Sequence, residues 1–345
     1  MKKIFIGIDV SKETVDVSVI IPTQTDCKPV LVDYHQYENR PGGFRSMVAQ
    51  VRRVAQGIPV GDWLFCCETT GAYDRALCDY LYGRGLDIWR ESALRIRWSR
   101  GIARGKSDKA DSFSIAEYAW RQQDKVQLYV SPDEKVQQLK ALYLYRQKLV
   151  DEKKAKEVRA KEIKATAADS PAVRFMYTDS MKEIKRINES IAECETLMQQ
   201  LIEADDEMKR NYGHIISIKS VGKVTAWGLI IYTNNFKTLT TSRKASCYCG
   251  CAAFYEDSGT SVHKKVNTKK LCNKQLKVVL TMSARNAIIN NPDIKTYAQR
   301  MDAMGKCYGI IVNNVRNKLL HIIYSLVKND CDYEEHHEWK RNQTA

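Results

Sequence analysis

The alternation of apolar and polar residues over the first 90 positions predicts a small sheet. Three runs rich in Val, Ile and Tyr are separated by polar or turn residues, and they predict successive strands at 4–10, 14–21 and 30–37. Two further apolar runs predict a fourth strand at 63–67, closed by Glu68, and a fifth short strand at 86–89. Every predicted strand is short, as is usual for a globular domain.

Helical spacing lies between the later strands. After the break at Pro41, one helix is predicted by Phe44, Met47, Val48 and Val51, and another by Ala76, Leu77, Tyr80 and Leu81. The predicted order is therefore βββαβαβ, followed by a helix that begins near Lys109.

From about Pro132 to Met208 the chain is charged, lacks glycine and predicts long helices. Apolar positions that alternate by three and four residues predict a coiled-coil seam at Ile184, Ile187, Ile191, Cys194, Met198 and Leu201. A partner stripe lies upstream at Val136, Leu139, Tyr143, Arg146 and Val150. A bend near Asp169 would make the two helices antiparallel. A solvated spacer and a dimerisation arm both fit this segment, and the two are compatible.

Glycine returns after Tyr212, and a compact carboxy-terminal domain is predicted to about Lys328. Two core helices are predicted there, one through Leu276, Val279, Leu280, Met282 and Ala284, and one from Ile310 to Leu326. The remaining residues, 329–345, read as a polar tail.

The charge of the chain narrows the class of partner. A formal charge of +14, from 55 Lys and Arg against 41 Asp and Glu, favours a polyanion, with nucleic acid ahead of a membrane surface. No stretch approaches the roughly 18 apolar residues that span a bilayer. Asp9 interrupts the apolar start, which argues against a signal peptide and for a cytoplasmic protein.

The eleven cysteines are an odd number without the paired spacing of a disulfide framework or a zinc finger. The cluster Cys247, Cys249 and Cys251 lacks a fourth ligand at finger-like spacing, so packing is the favoured reading.

Two predicted strands end on an acid, Asp9 on the first and Glu68 on the fourth. The fourth strand can pair beside the first, which would make these side chains neighbours. Asp108 and Asp111 lie three residues apart at a helix start and so share a face. Converging carboxylates repel unless cations neutralise them, and oxygen ligands suit Mg²⁺ or Mn²⁺, which can act in phosphodiester chemistry. Singly, each acid is more often a surface or capping residue, and Asp108 could simply cap the helix that Asp111 begins.

The stretches GIDVSKETVDV, CCETTG and KSDKAD, in the order βββαβαβα, resemble the RNase H-like, RuvC-type domain of the DEDD transposases of the insertion-sequence-110 family. The resemblance runs from Gly7 to about Val327 and implies a metal-binding tetrad of Asp9, Glu68, Asp108 and Asp111. It implies an α/β plus α architecture with a RuvC-like catalytic domain at 1–130 and a helical coiled-coil or dimerisation segment at 131–211. A serine-bearing, mainly helical transposase domain at 212–328 and the polar tail at 329–345 complete it.

The start of the carboxy-terminal domain resembles a helix-hairpin-helix, with a V-G-x-x-T turn and a second helix from Thr225. Glycine there would let backbone amides face a phosphate beside Lys219, Gly222 and Lys223. A packing turn without DNA contact is the alternative.

Ser258 matches the position at which the resembled family carries its nucleophile, in a D-S-G-type segment that we expect to form an exposed loop. Ser261 is the rival nucleophile, and His263 reads as a solvated loop residue. A basic run would hold the DNA backbone through Lys264, Lys265, Lys269 and Lys270. A second basic stretch, with Trp98 among Arg97, Arg100 and Arg104, could grip a backbone or stack on bases, or could be a solvated linker.

These observations predict a DNA transposase that acts as a site-specific recombinase on donor and target DNA. The resemblance further implies a structured guide RNA, the bridge RNA, that is encoded by the element, and homodimers that pair into homotetramers in the bacterial cytosol. No recognition helix or zinc finger is evident in the sequence, which agrees with selectivity by base pairing. Two alternatives stay open, a Holliday-junction nuclease with the same carboxylates and a non-catalytic nucleic-acid scaffold.

Overall fold

The computed structural model describes residues 2–22, 29–71, 73–99, 107–166, 170–258, 262–268 and 272–335, and for 254–258 and 262–268 it describes the backbone. The chain divides into two compact units, Met1–Ser131 and Pro132–Ala345. Within the described ranges, no helix has the length and apolarity that a bilayer crossing requires.

The first unit contains a five-stranded mixed sheet with the strand order β3-β2-β1-β4-β5. Its strands are β1 Ile4–Val10, β2 Thr14–Pro22, β3 Pro29–Glu38, β4 Trp63–Glu68 and β5 Ile88–Glu91. The first three strands form an antiparallel meander, whereas β4 pairs in parallel with β1 and with β5. The predicted adjacency of the first and fourth strands is therefore confirmed.

Helices cover both faces of this sheet: α1 Pro41–Val54, α2 Arg75–Tyr82, α3 Ala93–Ser99 and α4 Asp108–Arg121. Side chains alternate along β1, so that Ile4, Ile6 and Ile8 pack with α1 and α2. Phe5 faces the other way and packs with α3 and α4. We call these the α1–α2 face and the α3–α4 face.

The second unit is mostly helical. Its elements are α5 Glu134–Thr166, α6 Pro171–Glu203, α7 Asp206–Ile216, α8 Lys223–Thr233, α9 Ser242–Tyr248, α10 Lys274–Asn290, α11 Pro292–Ala303 and α12 Tyr308–Asn329, with a hairpin of β6 Ala253–Ser258 and β7 Val262–Thr268. Helices α5 and α6 are antiparallel, because Arg146 pairs with Glu195 and Lys156 pairs with Glu183. A buried cluster joins α5 and α6 to α7, α8, α10 and α12.

Several sequence predictions need correction. The fifth strand begins at Ile88 rather than at residue 86, since its register with β4 runs from Phe65↔Ile88 to Glu68↔Glu91 and so includes two charged residues. Helix α3 covers the start of the arginine-rich stretch, for which no helix was predicted from the sequence. Helix α11 was not predicted, although Pro292 fits the first helical turn after the Asn291 cap.

The predicted seam of α5 and α6 is shifted at its ends. Ile184, Ile187, Cys194 and Met198 are buried as predicted, but Ile202 is buried where Leu201 is only partly so. On α5, Leu149 is buried instead of Val150. The coiled coil itself stays a prediction, while the antiparallel helix pair is observed.

Candidate functional site

The sheet brings Asp9 and Glu68 to one face. Ile8 on β1 lies opposite Cys67 on β4, so Asp9 and Glu68 follow in the next register position of two parallel strands. Ile8 and Cys67 both pack on the α1–α2 face, and strand alternation therefore turns Asp9 and Glu68 to the α3–α4 face. Both acids are half-buried.

Helix α4 supplies Asp108 and Asp111 on that same face. Ser107 is its N-cap and accepts a hydrogen bond from the Ala110 amide at 3.2 Å, which makes Asp108 the first helical residue. The alternative that Asp108 caps this helix is therefore wrong. Both acids lie in the first turn, where the helix dipole favours negative charge.

Glycine at position 7 allows α4 to lie against β1. A Cβ on Gly7 would come within 2.2 Å of the Ser112 carbonyl oxygen and 2.3 Å of the Ala116 nitrogen, so no larger residue fits without moving the helix. A buried hydrogen bond of 2.8 Å between the hydroxyls of Ser18 and Ser112 also ties the helix to β2. These contacts hold the amino end of α4 beside the end of β1.

The electrostatics of Asp9 record this convergence. Burial is the largest cause that raises the pKa of Asp9, and the negative charges of Asp111, Glu68, Asp108 and Asp16 add to it in that order, so that together they bring the pKa to about 6. Among the described residues, however, no three of the four acids offer oxygens within 4.8 Å of one another. The four acids therefore share one electrostatic environment.

Two further acids on this face were missed by the sequence reasoning. Asp16 lies directly opposite Asp9 in the β1–β2 register and accepts hydrogen bonds from Tyr34 and Gln36. Glu91 is buried at the end of β5 and accepts a hydrogen bond of 3.1 Å from the Tyr118 hydroxyl. Hairpin register could have pointed to Asp16, whereas Glu91 fell outside the predicted fifth strand. Because both are hydrogen-bonded, we assign them a supporting role.

The residues expected to bind phosphate at the start of the second domain are only partly available. Gly222 is the N-cap of α8, its φ is −91°, and a Cβ there would meet nothing within 4 Å. Lys223 pairs with Glu195 and lies over the Trp227 ring, and Lys219 lies 3.4 Å from Glu335. The turn between α7 and α8 is open, but its lysines already have partners. Phosphate binding there stays a prediction.

Ser258 is the last residue of strand β6, in backbone register with Val262, so it lies at the end of a hairpin strand rather than in a simple loop. His263, Lys264 and Lys265 belong to β7. The predictions for Ser261, Lys269 and Lys270, and those for Arg100 and Arg104, lie outside the described residues. Arg97 is exposed in the last turn of α3.

The cysteines mostly serve packing. Cys249 and Cys251 are buried as predicted, whereas Cys247 is exposed. Within the described part of the chain, one group has ligand atoms close enough to share a metal: Cys67, Asp74 and Cys78. Asp74 is fully buried but already forms an ion pair with Arg90, and the two sulfurs lie 3.6 Å apart in the α1–α2 core. Its charge is therefore neutralised without an ion.

Two models of known protein families match the chain. A DEDD transposase model of the IS110 group matches residues 6–163, and a model described as "Transposase IS116/IS110/IS902 family" matches residues 213–299. The chain belongs to the insertion-sequence-110 family of transposases.

Two relatives span nearly the whole chain. The pilin gene-inverting proteins of Moraxella lacunata and Moraxella bovis are each 24% identical over 97% of this chain and 99% of their own length. An IS110 insertion-element protein of 43.6 kDa from Streptomyces coelicolor is 25% identical over 35% of this chain and 29% of its own.

Two solved structures of Thermus thermophilus RuvC, one of them in complex with a Holliday junction substrate, cover 36% and 37% of this chain and 99% of their own. They are 15% and 13% identical to it, with TM-scores of 0.25 and 0.27.

Proposed function

We propose that this transposase is a site-specific DNA recombinase whose tetrad Asp9, Glu68, Asp108 and Asp111 holds divalent cations and whose nucleophile is Ser258. The observation that carries the first half is the convergence of four acids on one sheet face, where burial first and then the repulsion of the neighbouring acids raise the pKa of Asp9. Repulsion of this kind costs stability, and it is typical of sites in which a bound cation or substrate offsets it.

The donor set fits Mg²⁺ or Mn²⁺, because it consists of carboxylate oxygens that are half-buried or exposed and so can keep water ligands as well. When bound, such ions stabilise the negative charge that develops on phosphodiester oxygens. The protein side of the site positions the acids: β1 and β4 hold Asp9 and Glu68, and the contact of α4 with Gly7 holds Asp108 and Asp111.

The serine supplies a covalent link. The Ser258 oxygen forms a bond to phosphorus as the bond from phosphorus to a sugar oxygen breaks, and the hydroxyl proton passes through solvent to that departing oxygen. The phosphoserine ester keeps the energy of the broken bond. A sugar hydroxyl from another strand can therefore attack it, which rejoins DNA in a new connection and frees Ser258.

The names of the full-length relatives point to inversion of a DNA segment, and we extend that to this chain as the reaction type. A guide RNA, a tetramer of two dimers joined through α5 and α6, and a cytosolic location belong to the same proposal. They depend on the family resemblance and on the charge of +14.

Strand exchange between two DNA sites, with the guide RNA present, tests both halves of the proposal. Ser258→Ala should abolish exchange and the protein–DNA adduct, while its matched control Ser261→Ala should keep both. Asp9→Asn should abolish both as well.

Each alternative predicts a different pattern in the same assay. Undiminished exchange by Ser258→Ala would favour a junction nuclease that does not use the serine. Normal recombination by Asp9→Asn would favour a scaffold without catalytic acids.

A further inference from the structure

A cleft on the catalytic unit has the charge of a nucleic-acid surface but lies away from the acids. It is open, has a volume of about 820 Å³ and lies between α1 and α2. Arg45, Arg52, Arg53 and Arg84 line it, and no acid does. All four side chains are exposed, and none forms an ion pair with the described residues.

The cost of gathering these charges suggests a ligand. Arg45 and Arg52 lie two turns apart on α1, about 10 Å by helix geometry, with their neighbours Arg53 and Arg84 beside them. Exposed arginines are usually interspersed with acids, which lowers their mutual repulsion. A surface with four arginines and no acid attracts a polyanion, and its charge is complementary to a phosphate backbone.

The residues that line the cleft favour a duplex over an unpaired strand. Proteins that hold single strands stack bases on free aromatic faces. The aromatic ring that lines this cleft, Tyr80, is covered by the Arg84 guanidinium at 3.8 Å and packs against Phe44. The cleft therefore offers charge without a stacking platform.

Its position separates the cleft from the reacting bond. The four acids are on the α3–α4 face, whereas α1 and α2 cover the opposite face.

We infer that the α1–α2 cleft binds the phosphate backbone of a duplex DNA segment distinct from the one being cut. The choice of DNA rests on the proposed function, because the family acts as transposases. Arg45 and Arg52 contact phosphates without reading sequence, as exposed arginines beside a backbone do.

The test is binding of the full-length chain to a labelled 40-base-pair duplex in EDTA, followed by fluorescence anisotropy over a series of KCl concentrations. Arg45→Gln with Arg52→Gln should make the slope of log affinity against log salt shallower by about 1.8, and should weaken binding roughly 30-fold at 0.15 M salt. Arg53→Gln with Arg84→Gln should act similarly. Lys295→Gln with Lys306→Gln removes two exposed charges from the second unit and is the matched control, with a change of under about threefold expected.

Equal losses in the cleft and control variants would overturn the inference, as would an unchanged slope in both cleft variants. A loss seen only on an RNA duplex of the same length would overturn the assignment to DNA. Because EDTA prevents metal-dependent chemistry, this result is independent of strand exchange. If Asp9→Asn or Ser258→Ala recombined normally, the proposed function would fail while the binding result stood.

Discussion

Replacing Asp9 by Asn should make the metal-free protein more stable while removing its ability to gain stability from Mg²⁺. The Asp9 carboxylate accepts no hydrogen bond from the described residues, and its pKa is raised from 3.8 to about 6 by burial and by neighbouring acids. A shift of about two units corresponds to about 3 kcal/mol. Because the Asp9 side chain is only half-buried, solvent screening reduces the expected destabilisation of the folded state to roughly 1–2 kcal/mol.

The sign follows from proton binding. Between pH 4 and 6 the folded state holds a proton on Asp9 that the unfolded state has released, so the free energy of unfolding falls as the pH rises through this window. Above about pH 6 this loss in the free energy of unfolding is constant. Asparagine carries no charge and so avoids the loss, which means that Asp9→Asn should be more stable than wild type by the full amount at pH 8 and no more stable below about pH 4.

Thermal unfolding of wild type and Asp9→Asn at pH 8 and pH 4, in EDTA and in Mg²⁺, measures these effects. In EDTA at pH 8 the variant should unfold about 3–8 °C higher, and at pH 4 at the same temperature. Mg²⁺ should raise the midpoint of the wild type alone. Glu13→Gln, which removes an exposed acid at the β1–β2 turn, is the control and should shift neither midpoint. A variant that is less stable at pH 8, or one that keeps the full response to Mg²⁺, would refute the reasoning.

Two more outcomes follow from single contacts. Gly7→Ala should lower the free energy of unfolding, measured by urea denaturation, by roughly 3 kcal/mol because its Cβ would overlap the α4 backbone. Gly42→Ala is the control and should change this free energy little, because a Cβ at Gly42 would lie in open space. Equal effects of the two substitutions would disprove the close approach of α4 to Gly7. The protonated ring of His214 donates hydrogen bonds from both nitrogens to Asp330 and Asp332, and these contacts raise the pKa of His214 above 6.5. The contacts therefore stabilise the folded state fully below pH 6.5, and this stabilisation is lost as the pH rises through the raised pKa. His214→Gln should therefore lower the unfolding midpoint at pH 5.5 and have little effect at pH 9; the same loss at both values would exclude an imidazolium contact.

Features that depend on neighbouring residues in the chain could be predicted from the sequence. Alternation located β1 to β4 within a residue or two at each end, and helical spacing located α1, α2, α10 and α12, because burial on one face imposes its own period. Asp9 and Glu68 stood out because an acid that closes an apolar strand is conspicuous in a linear sequence.

Features that depend on residues distant along the chain could not be predicted from the sequence. Glu91 belongs to β5 because it pairs with Glu68 on β4, a partner that is distant along the chain. The hairpin of β6 and β7 likewise depends on cross-strand pairing, which composition does not reveal. Likewise, only folding made Gly7 a contact point for α4 and set Asp16 opposite Asp9. Residue type and spacing determined which groups could bind a cation. The tertiary structure, through the parallel pairing of β1 with β4 and the packing of α4, decided which of these acidic groups interact electrostatically. Charge coupling depends on distance in space and not on distance along the chain.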